Sequence, residues 1–431
     1  MSSKANPVFD SKELISTKQA IMGSSRRVLL LFPASGRENY NMIPLSLLYV
    51  AGPLVKAGFD VEIIDQRFER NFFGYLKSRI SEDLICVGLS CITGPQIDQV
   101  VRICEFLRQL TTVPIVLGGP HVTILPEQTL RYAGVDYVVT GKGEAPFLGL
   151  IQALKEHKPV TDIGQLGYKA DGHLCINRRP LPDIPDIDLP YHLVYRYGKP
   201  SVVPVLTSFG CPHRCSFCAE RVLHPCYSEV PLPEVVNMIE KALRFSPSMI
   251  NFIDDTFLAH KQRIAELFST CRGRNIRFPF ICMGRVDEVL NMDGETVRRL
   301  RKNGMVAIYF GIESGSETIL KLIKKKITPD MALELNRRML REGITAHYSF
   351  MAGFPSETEE DVRKTIELMR QLKRENPTAI IWKINTYTPY PGTELFDFAV
   401  QHGFKPPQRF EDWSRAGFYS QEYGEAYDVH L

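Results

Sequence analysis

The sequence predicts an α/β chain made of two parallel sheets in succession: a doubly wound, flavodoxin-like sheet over residues 26–179 and a partial (β/α)6 barrel over residues 201–395. Three observations carry the prediction. Short, continuously apolar runs alternate with segments of helical apolar spacing along most of the 431 residues, the pattern of strands buried on both faces and joined by crossover helices. Glycines and small polar residues cluster just after the apolar runs, where sheets of this kind bind ligands. Between the halves, Pro180, Pro182, Pro185 and Pro190 punctuate an acidic stretch that reads as an extended linker over 180–200. Residues 1–25 are polar and aperiodic and are expected to form a tail, and residues 396–431 form an aromatic C-terminal extension.

Composition bounds the function classes. A hydrophobic content of 44% with 23% charged residues is that of an ordinary globular protein. Lys plus Arg at 52 against Asp plus Glu at 49 leave a net charge of +3, too slight to indicate a nucleic-acid partner. No apolar run reaches membrane-span length and no signal peptide opens the chain, so a cytoplasmic protein without a membrane partner is expected. Of ten cysteines, Cys86, Cys91, Cys104, Cys175, Cys226, Cys271 and Cys282 are scattered singly, mostly in apolar segments. They read as reduced thiols rather than a disulfide scaffold.

In the first half, strands are predicted at 28–32, 61–64, 84–90, 113–117 and 137–140, with a helix over 44–56 that stops at Gly58. Ser90, Thr93 and Gly94 follow the third strand, Gly118, Gly119 and His121 the fourth, and Gly141, Gly143 and Glu144 the fifth. Small residues there let a large planar or phosphate-bearing ligand approach the backbone, although glycines also end strands in any such sheet. The first strand is not followed by G-x-G-x-x-G, so a nicotinamide dinucleotide is not indicated. Asp171-Gly172 signals a tight hairpin.

In the second half, strands are predicted at 202–208, 249–253, 278–283, 306–310, 346–351 and 380–386, separated by helices. Asp254 and Asp255, Arg285, Glu313 and Ser314, and Gly353 follow the second to fifth of these strands, where a parallel barrel carries its chemistry. Lys321, Lys324, Lys325 and Lys326 read as a solvated helix end. Phe404, Phe410, Trp413, Phe418, Tyr419, Tyr423 and Tyr427 are dense enough to cover the open side of the barrel and line a substrate cavity, or simply to pack against it. Tyr423 and Tyr427 are also candidate radical or proton partners.

Cys211, Cys215 and Cys218 form a C-x3-C-x2-C run directly after the first strand of this half. Four cysteines saturate a [4Fe–4S] cluster; three leave one iron open to bind a small molecule and pass it an electron. A zinc site is the alternative, with Cys226 or His213 as fourth ligand, but neither paired zinc spacing is completed.

This loop, with the aromatic Phe217 before its last cysteine, resembles the signature of the radical S-adenosylmethionine (SAM) superfamily. Together with the doubly wound sheet upstream, the chain resembles the cobalamin (B12)-binding radical SAM enzymes from about Arg26 to about Leu395. The resemblance implies three cofactors: a [4Fe–4S] cluster on Cys211, Cys215 and Cys218, SAM, and cobalamin at the strand ends of the first sheet. It implies that Asp254 and Asp255 meet the methionine amino group of SAM, that Arg285 meets its carboxylate or a polar substrate, and that Glu313 and Ser314 meet its ribose and methionine parts. Gly353 would lie against the adenine. The D-x-H-x-x-G motif of other cobalamin proteins is missing, since the loop after the first strand reads Pro33-Ala-Ser-Gly-Arg-Glu-Asn. Relatives commonly lack that histidine too, and His121 reads as a polar contact at the strand end rather than a substitute. The implied reaction starts from a 5′-deoxyadenosyl radical and modifies an unactivated carbon of a small-molecule substrate, with methyl transfer first and cobalamin-independent dehydration, cyclisation or rearrangement second. An external electron donor of the flavodoxin or ferredoxin type is implied. A non-catalytic cobalamin or redox sensor is the alternative from another class. A tRNA methylthiotransferase would need a second cysteine set and a basic terminal barrel, which Cys86, Cys91, Cys104 and the short aromatic tail do not supply.

Overall fold

The computed structural model describes residues 26–35, 42–185 and 187–416. Its first sheet has seven strands in the order β2-β1-β3-β4-β5-β6-β7. β1 (Arg27–Phe32), β2 (Asp60–Asp65), β3 (Leu84–Ser90), β4 (Ile115–Gly118) and β5 (Tyr137–Val139) are parallel. β6 (Leu166–Ala170) and β7 (His173–Asn177) add an antiparallel edge. Both faces of the parallel strands are covered: every residue of β3 is buried, which is why these segments read as unbroken apolar runs. The strand order reverses between β1 and β3, placing a crevice at their carboxyl ends. The β6–β7 turn is made by Asp171 and Gly172 at φ of 49° and 77°, successive left-handed residues of the kind a two-residue hairpin requires.

The second sheet carries six parallel strands in the order β15-β14-β13-β12-β11-β8. β8 (Val202–Val205) leads into β9 (Ser208–Phe209), which pairs antiparallel with β10 (Ser228–Glu229), so the cysteine loop is tied at both ends. β11 (Met249–Phe252), β12 (Phe280–Gly284), β13 (Met305–Glu313), β14 (Thr345–Ala352) and β15 (Ile380–Thr386) complete the open barrel. Alternation decides which side chains face the outer helices. Tyr348 points outward, its hydroxyl donating to Asn336 Oδ1 of the helix Pro329–Glu342 at 3.1 Å, which leaves Tyr309 and His347 on the concave face.

Two stretches depart from expectation. Within the predicted extended linker, Tyr191–Tyr197 form a 3₁₀ helix. Tyr191 and Val194 are buried, and the Tyr197 hydroxyl donates to the Ile63 carbonyl at 3.1 Å and accepts from the Asp65 N–H at 2.8 Å. Its aromatic and apolar side chains have enough surface to bury to outweigh the Pro-rich setting. Within the described part of the aromatic extension, Phe404 packs on Phe396 of the barrel's last helix, and the next two aromatics leave the barrel. Phe410 and Trp413 pack onto the first sheet beside His121, with ring centroids 5.4 and 5.9 Å from it. Trp413 Nε1 donates to Gln128 Oε1 at 2.6 Å, and Gln128 Nε2 donates to the Pro407 carbonyl at 3.0 Å. The segment from Pro407 to Trp413 thus straps the barrel to the sheet, since Trp413 buries most cheaply where its N–H finds an acceptor. Phe418, Tyr419, Tyr423, Tyr427 and the tail 1–25 lie outside the described residues. Among the described residues, no helix is long and apolar enough to cross a membrane.

Candidate functional site

Cys211, Cys215 and Cys218 are half-buried at the carboxyl-end mouth of the barrel. Burial pushes the Cys211 thiol up to about 11 and the Cys218 thiol up to about 12, so a bound metal is the natural means of ionising them. Positive charge is already in place. Arg285 Nη1 lies 3.5 Å from Cys215 Sγ, its Nη2 donates to the Lys325 carbonyl at 2.6 Å, and its Nε donates to Asp287 at 2.9 Å. Lys325, expected in a solvated cluster, is instead buried and paired with Glu313 at 2.9 Å. Its Nζ is 5.9 Å from the Phe217 ring centroid. The helix Glu317–Leu322 ends just before it and turns its chain inward, while Lys321 stays at the surface and Lys324 pairs with Glu394. Neither extra ligand of the zinc alternative is engaged with the three cysteines. His213 Nε2 is bonded to Glu288 at 2.7 Å and Cys226 is exposed. Among the described residues, no three His, Cys, Asp or Glu side chains converge on one ion position. A [4Fe–4S] cluster does not ask for that, because each cysteine holds a different iron.

Asp254 is fully buried. Its Oδ1 accepts from the Thr207 N–H at 3.1 Å, Thr207 Oγ1 at 2.7 Å and Ser208 Oγ at 2.6 Å, while Oδ2 has no partner. One oxygen therefore braces the strand that enters the cysteine loop, and the other is a buried acceptor awaiting a donor. Asp255 faces the cavity described below. Burial there, with the neighbouring Glu220 carboxylate, raises its pKa above the usual carboxylate range. Ser314 is turned the other way: its hydroxyl lies 3.1 Å from Thr365 Oγ1 and accepts from the Ser316 N–H. The Gly353 N–H donates to Glu357 Oε2 at 2.5 Å, and Phe217 and Phe354 meet edge to face with centroids 5.9 Å apart.

The carboxyl ends of the two sheets share one cavity of about 380 Å³. Ser90, Gly118, Gly119, Gly141, Gly143 and Glu144 line it from the first sheet; Phe209, Gly210, Glu220, His224 and Asp255 line it from the barrel. The first wall sets glycine backbone among apolar side chains such as Leu30, Tyr49 and Phe147: a Cβ added at Gly118 would meet nothing nearer than the Val139 carbonyl at 3.7 Å, so the space above that residue is open to a broad flat ligand. Thr93, Gly94 and His121 are not part of the cavity lining. His121 Nδ1 is bonded to Thr93 Oγ1 at 2.9 Å beneath the C-terminal strap, and burial lowers the imidazole to about 4. Sequence reading missed Glu220, His224 and Lys325. Glu220 stands two residues beyond the last loop cysteine, a spacing that could have flagged it.

A three-cysteine loop at the mouth of a partial parallel barrel is the arrangement of the radical SAM enzymes. The Radical SAM superfamily model matches residues 205–369, and the B12 binding domain model matches residues 37–151. The chain is 31% identical over 396 residues to an uncharacterized methyltransferase of Pyrococcus horikoshii, covering 87% of this chain and 83% of the relative. It is 26% identical to the anaerobic magnesium-protoporphyrin IX monomethyl ester cyclase of Synechocystis, covering 87% of this chain and 77% of the relative. Its fold is shared with the radical SAM methyltransferase TsrM from Kitasatospora setae, at a TM-score of 0.72 and 20% identity, covering 88% of this chain and 75% of that one. The cobalamin-dependent SAM radical enzyme OxsB superposes at 0.74 with 16% identity, covering 92% of this chain and 64% of that one. The chain belongs to the radical SAM enzymes that carry a B12 binding domain. The cofactors of this family are a [4Fe–4S] cluster, SAM and cobalamin.

Proposed function

We propose that the protein transfers a methyl group to an unactivated carbon of a small-molecule substrate. The observation that carries the reading is the single cavity shared by the two sheets: the strand-end glycines of the first sheet line one side, and Phe209, Gly210 and Glu220, which flank the cysteine loop, line the other. When bound, the cluster and SAM would supply one-electron, radical-generating chemistry, and cobalamin would supply the methyl group. Cys211, Cys215 and Cys218 hold the cluster, and Arg285 and Lys325 offset its charge beside Cys215 and Phe217. Asp254, braced by Thr207 and Ser208, presents its free oxygen to a cationic ammonium, with Glu313 and Gly353 at the neighbouring strand ends. Ser90, Gly118, Gly119, Gly141 and Gly143 receive the corrin, and Glu144 closes the floor of that wall. Ser314 and His121 act on structure, through Thr365 and the C-terminal strap. A flavodoxin or ferredoxin type donor provides the electron.

The test is anaerobic incubation of the reconstituted protein with SAM, cobalamin and a reductant. Formation of both 5′-deoxyadenosine and S-adenosylhomocysteine is expected. Deoxyadenosine alone would transfer the reading to a radical reaction without methylation, and absence of both would refute it.

A further inference from the structure

The concave face of the barrel carries an apolar, aromatic floor that the cofactor contacts do not use. Met283, Tyr309, His347 and Ile380 sit at one level across four adjacent strands: Met283 pairs with Tyr309, Tyr309 with His347, and His347 with Ile380. Trp382 follows two residues after Ile380 on the same side of β15. Eight large apolar side chains are exposed among the described residues, and three of them, Met283 at 44%, Ile380 at 42% and Trp382 at 40%, are gathered here. Such concentration marks a binding surface more than scattered exposure does.

The rings of the floor form one cluster. Tyr309 and His347 have centroids 4.4 Å apart, and the Trp382 plane is inclined by 27° to Tyr309 and by 35° to His347. Burial lowers the His347 pKa, so its ring is neutral at physiological pH, and no carboxylate belongs to the row. A set of rings without a charged member offers stacked and edge-to-face partners to another π-system and no counter-ion to an anion. Position on β13 links the floor to the chemistry. Glu313 is four residues beyond Tyr309, about 13 Å at about 3.3 Å per residue, and it holds Lys325 beside Phe217 of the cysteine loop.

We propose that Met283, Tyr309, His347 and Trp382 form a substrate subsite for a flat, conjugated, fused-ring compound, stacked on Trp382 so that one edge of the ring system points up β13 towards the cysteine loop. This deepens the methyl-transfer reading and rests on it for the identity of the bound compound as substrate. Trp382 and Tyr309 select for aromaticity through their faces, and Met283 adjusts to the ring outline.

Calorimetry on the anaerobically reconstituted holoprotein tests the subsite with two probes of the same skeleton, naphthalene-2-carboxamide and decahydronaphthalene-2-carboxamide. The aromatic probe should bind at least tenfold more tightly than the saturated one. Trp382→Leu should remove that preference, and Trp382→Phe should keep most of it. Equal affinity of the two probes for the unaltered protein, failure of both to bind, or a preference that survives Trp382→Leu overturns the inference. The comparison on the unaltered protein stands whether or not a variant folds. SAM cleavage is read separately as 5′-deoxyadenosine: cleavage without ring preference sinks the subsite alone, whereas ring preference without cleavage sinks the enzymatic reading and leaves the site.

Discussion

The two walls of the shared cavity are built by opposite means. The first sheet and its helices meet it with backbone at Gly118, Gly119, Gly141 and Gly143 and with apolar side chains such as Leu30, Tyr49 and Phe147. The barrel meets it with the polar side chains of Ser208, Glu220, His224 and Asp255, and outside that lining its site groups are committed to one another: Asp254 to Thr207 and Ser208, Arg285 to Asp287 beside Cys215, and Lys325 to Glu313. A bare wall accepts a broad ligand and says little about its identity. A bonded wall fixes a few atoms closely, as a cluster and a chelated small molecule require. The first should therefore fail when bulk is added, and the second when a charge or thiol is taken away.

The largest effect is expected on the bonded wall. Replacing Cys211, Cys215 or Cys218 with Ala should abolish 5′-deoxyadenosine formation, and cleavage that persists would remove the cluster from these residues. Next comes the buried ion pair. Lys325→Met leaves Glu313 charged and unpaired in the interior, which should cost about 3–5 kcal/mol in denaturant unfolding. Adding Glu313→Gln to that variant should recover most of the loss, and a double variant as unstable as the single one would mean the pair is not the cause.

A smaller, pH-dependent effect is expected at Glu357. Burial raises its pKa to about 7 against the opposing N–H bonds from Gly353 and Phe354. The folded state therefore holds the proton more tightly than the unfolded chain does. The stability this contributes is complete below about pH 4.5 and is lost as pH rises through about 7. Glu357→Gln should remove the dependence and be the more stable form at about pH 8, by about 1–2 kcal/mol after solvent screening. Unfolding midpoints of the two proteins that run parallel across this range would contradict the assignment. The smallest effect belongs to His121: His121→Gln should leave the cobalt-to-protein ratio unchanged, because that imidazole lies under the strap and outside the cavity lining.

The parts legible in sequence are those whose signal is local. β1 and β3 announce themselves because strands buried on both faces are apolar without interruption. The cysteine loop is legible because its three ligands lie within eight residues. What could not be read depends on distant registers. Ser314 looks like a strand-end contact until helix Glu359–Glu375 brings Thr365 to it, 51 residues away. Lys325 looks like one of a run of solvated lysines until the chain turns it towards Glu313. Trp413 and Phe410 carry no mark of which sheet they cover, and their choice follows from Gln128 and His121, almost 300 residues earlier. Glycines at strand ends have a local cause and a ligand cause that look the same in sequence, and only the cavity that Gly118, Gly119, Gly141 and Gly143 share separates the two.

The central claim is that one cobalamin occupies the cavity between the walls, and Gly118 tests it most directly. A side chain there has room to start without a clash, since its Cβ would stand 3.7 Å from the Val139 carbonyl, but Leu would extend into the cradle. After anaerobic reconstitution with hydroxocobalamin and removal of the excess, cobalt should be near-stoichiometric in the unaltered protein and nearly absent in Gly118→Leu, with cluster iron equal in both. Equal cobalt in the two proteins, or none in the unaltered one beside an intact cluster, would contradict the account.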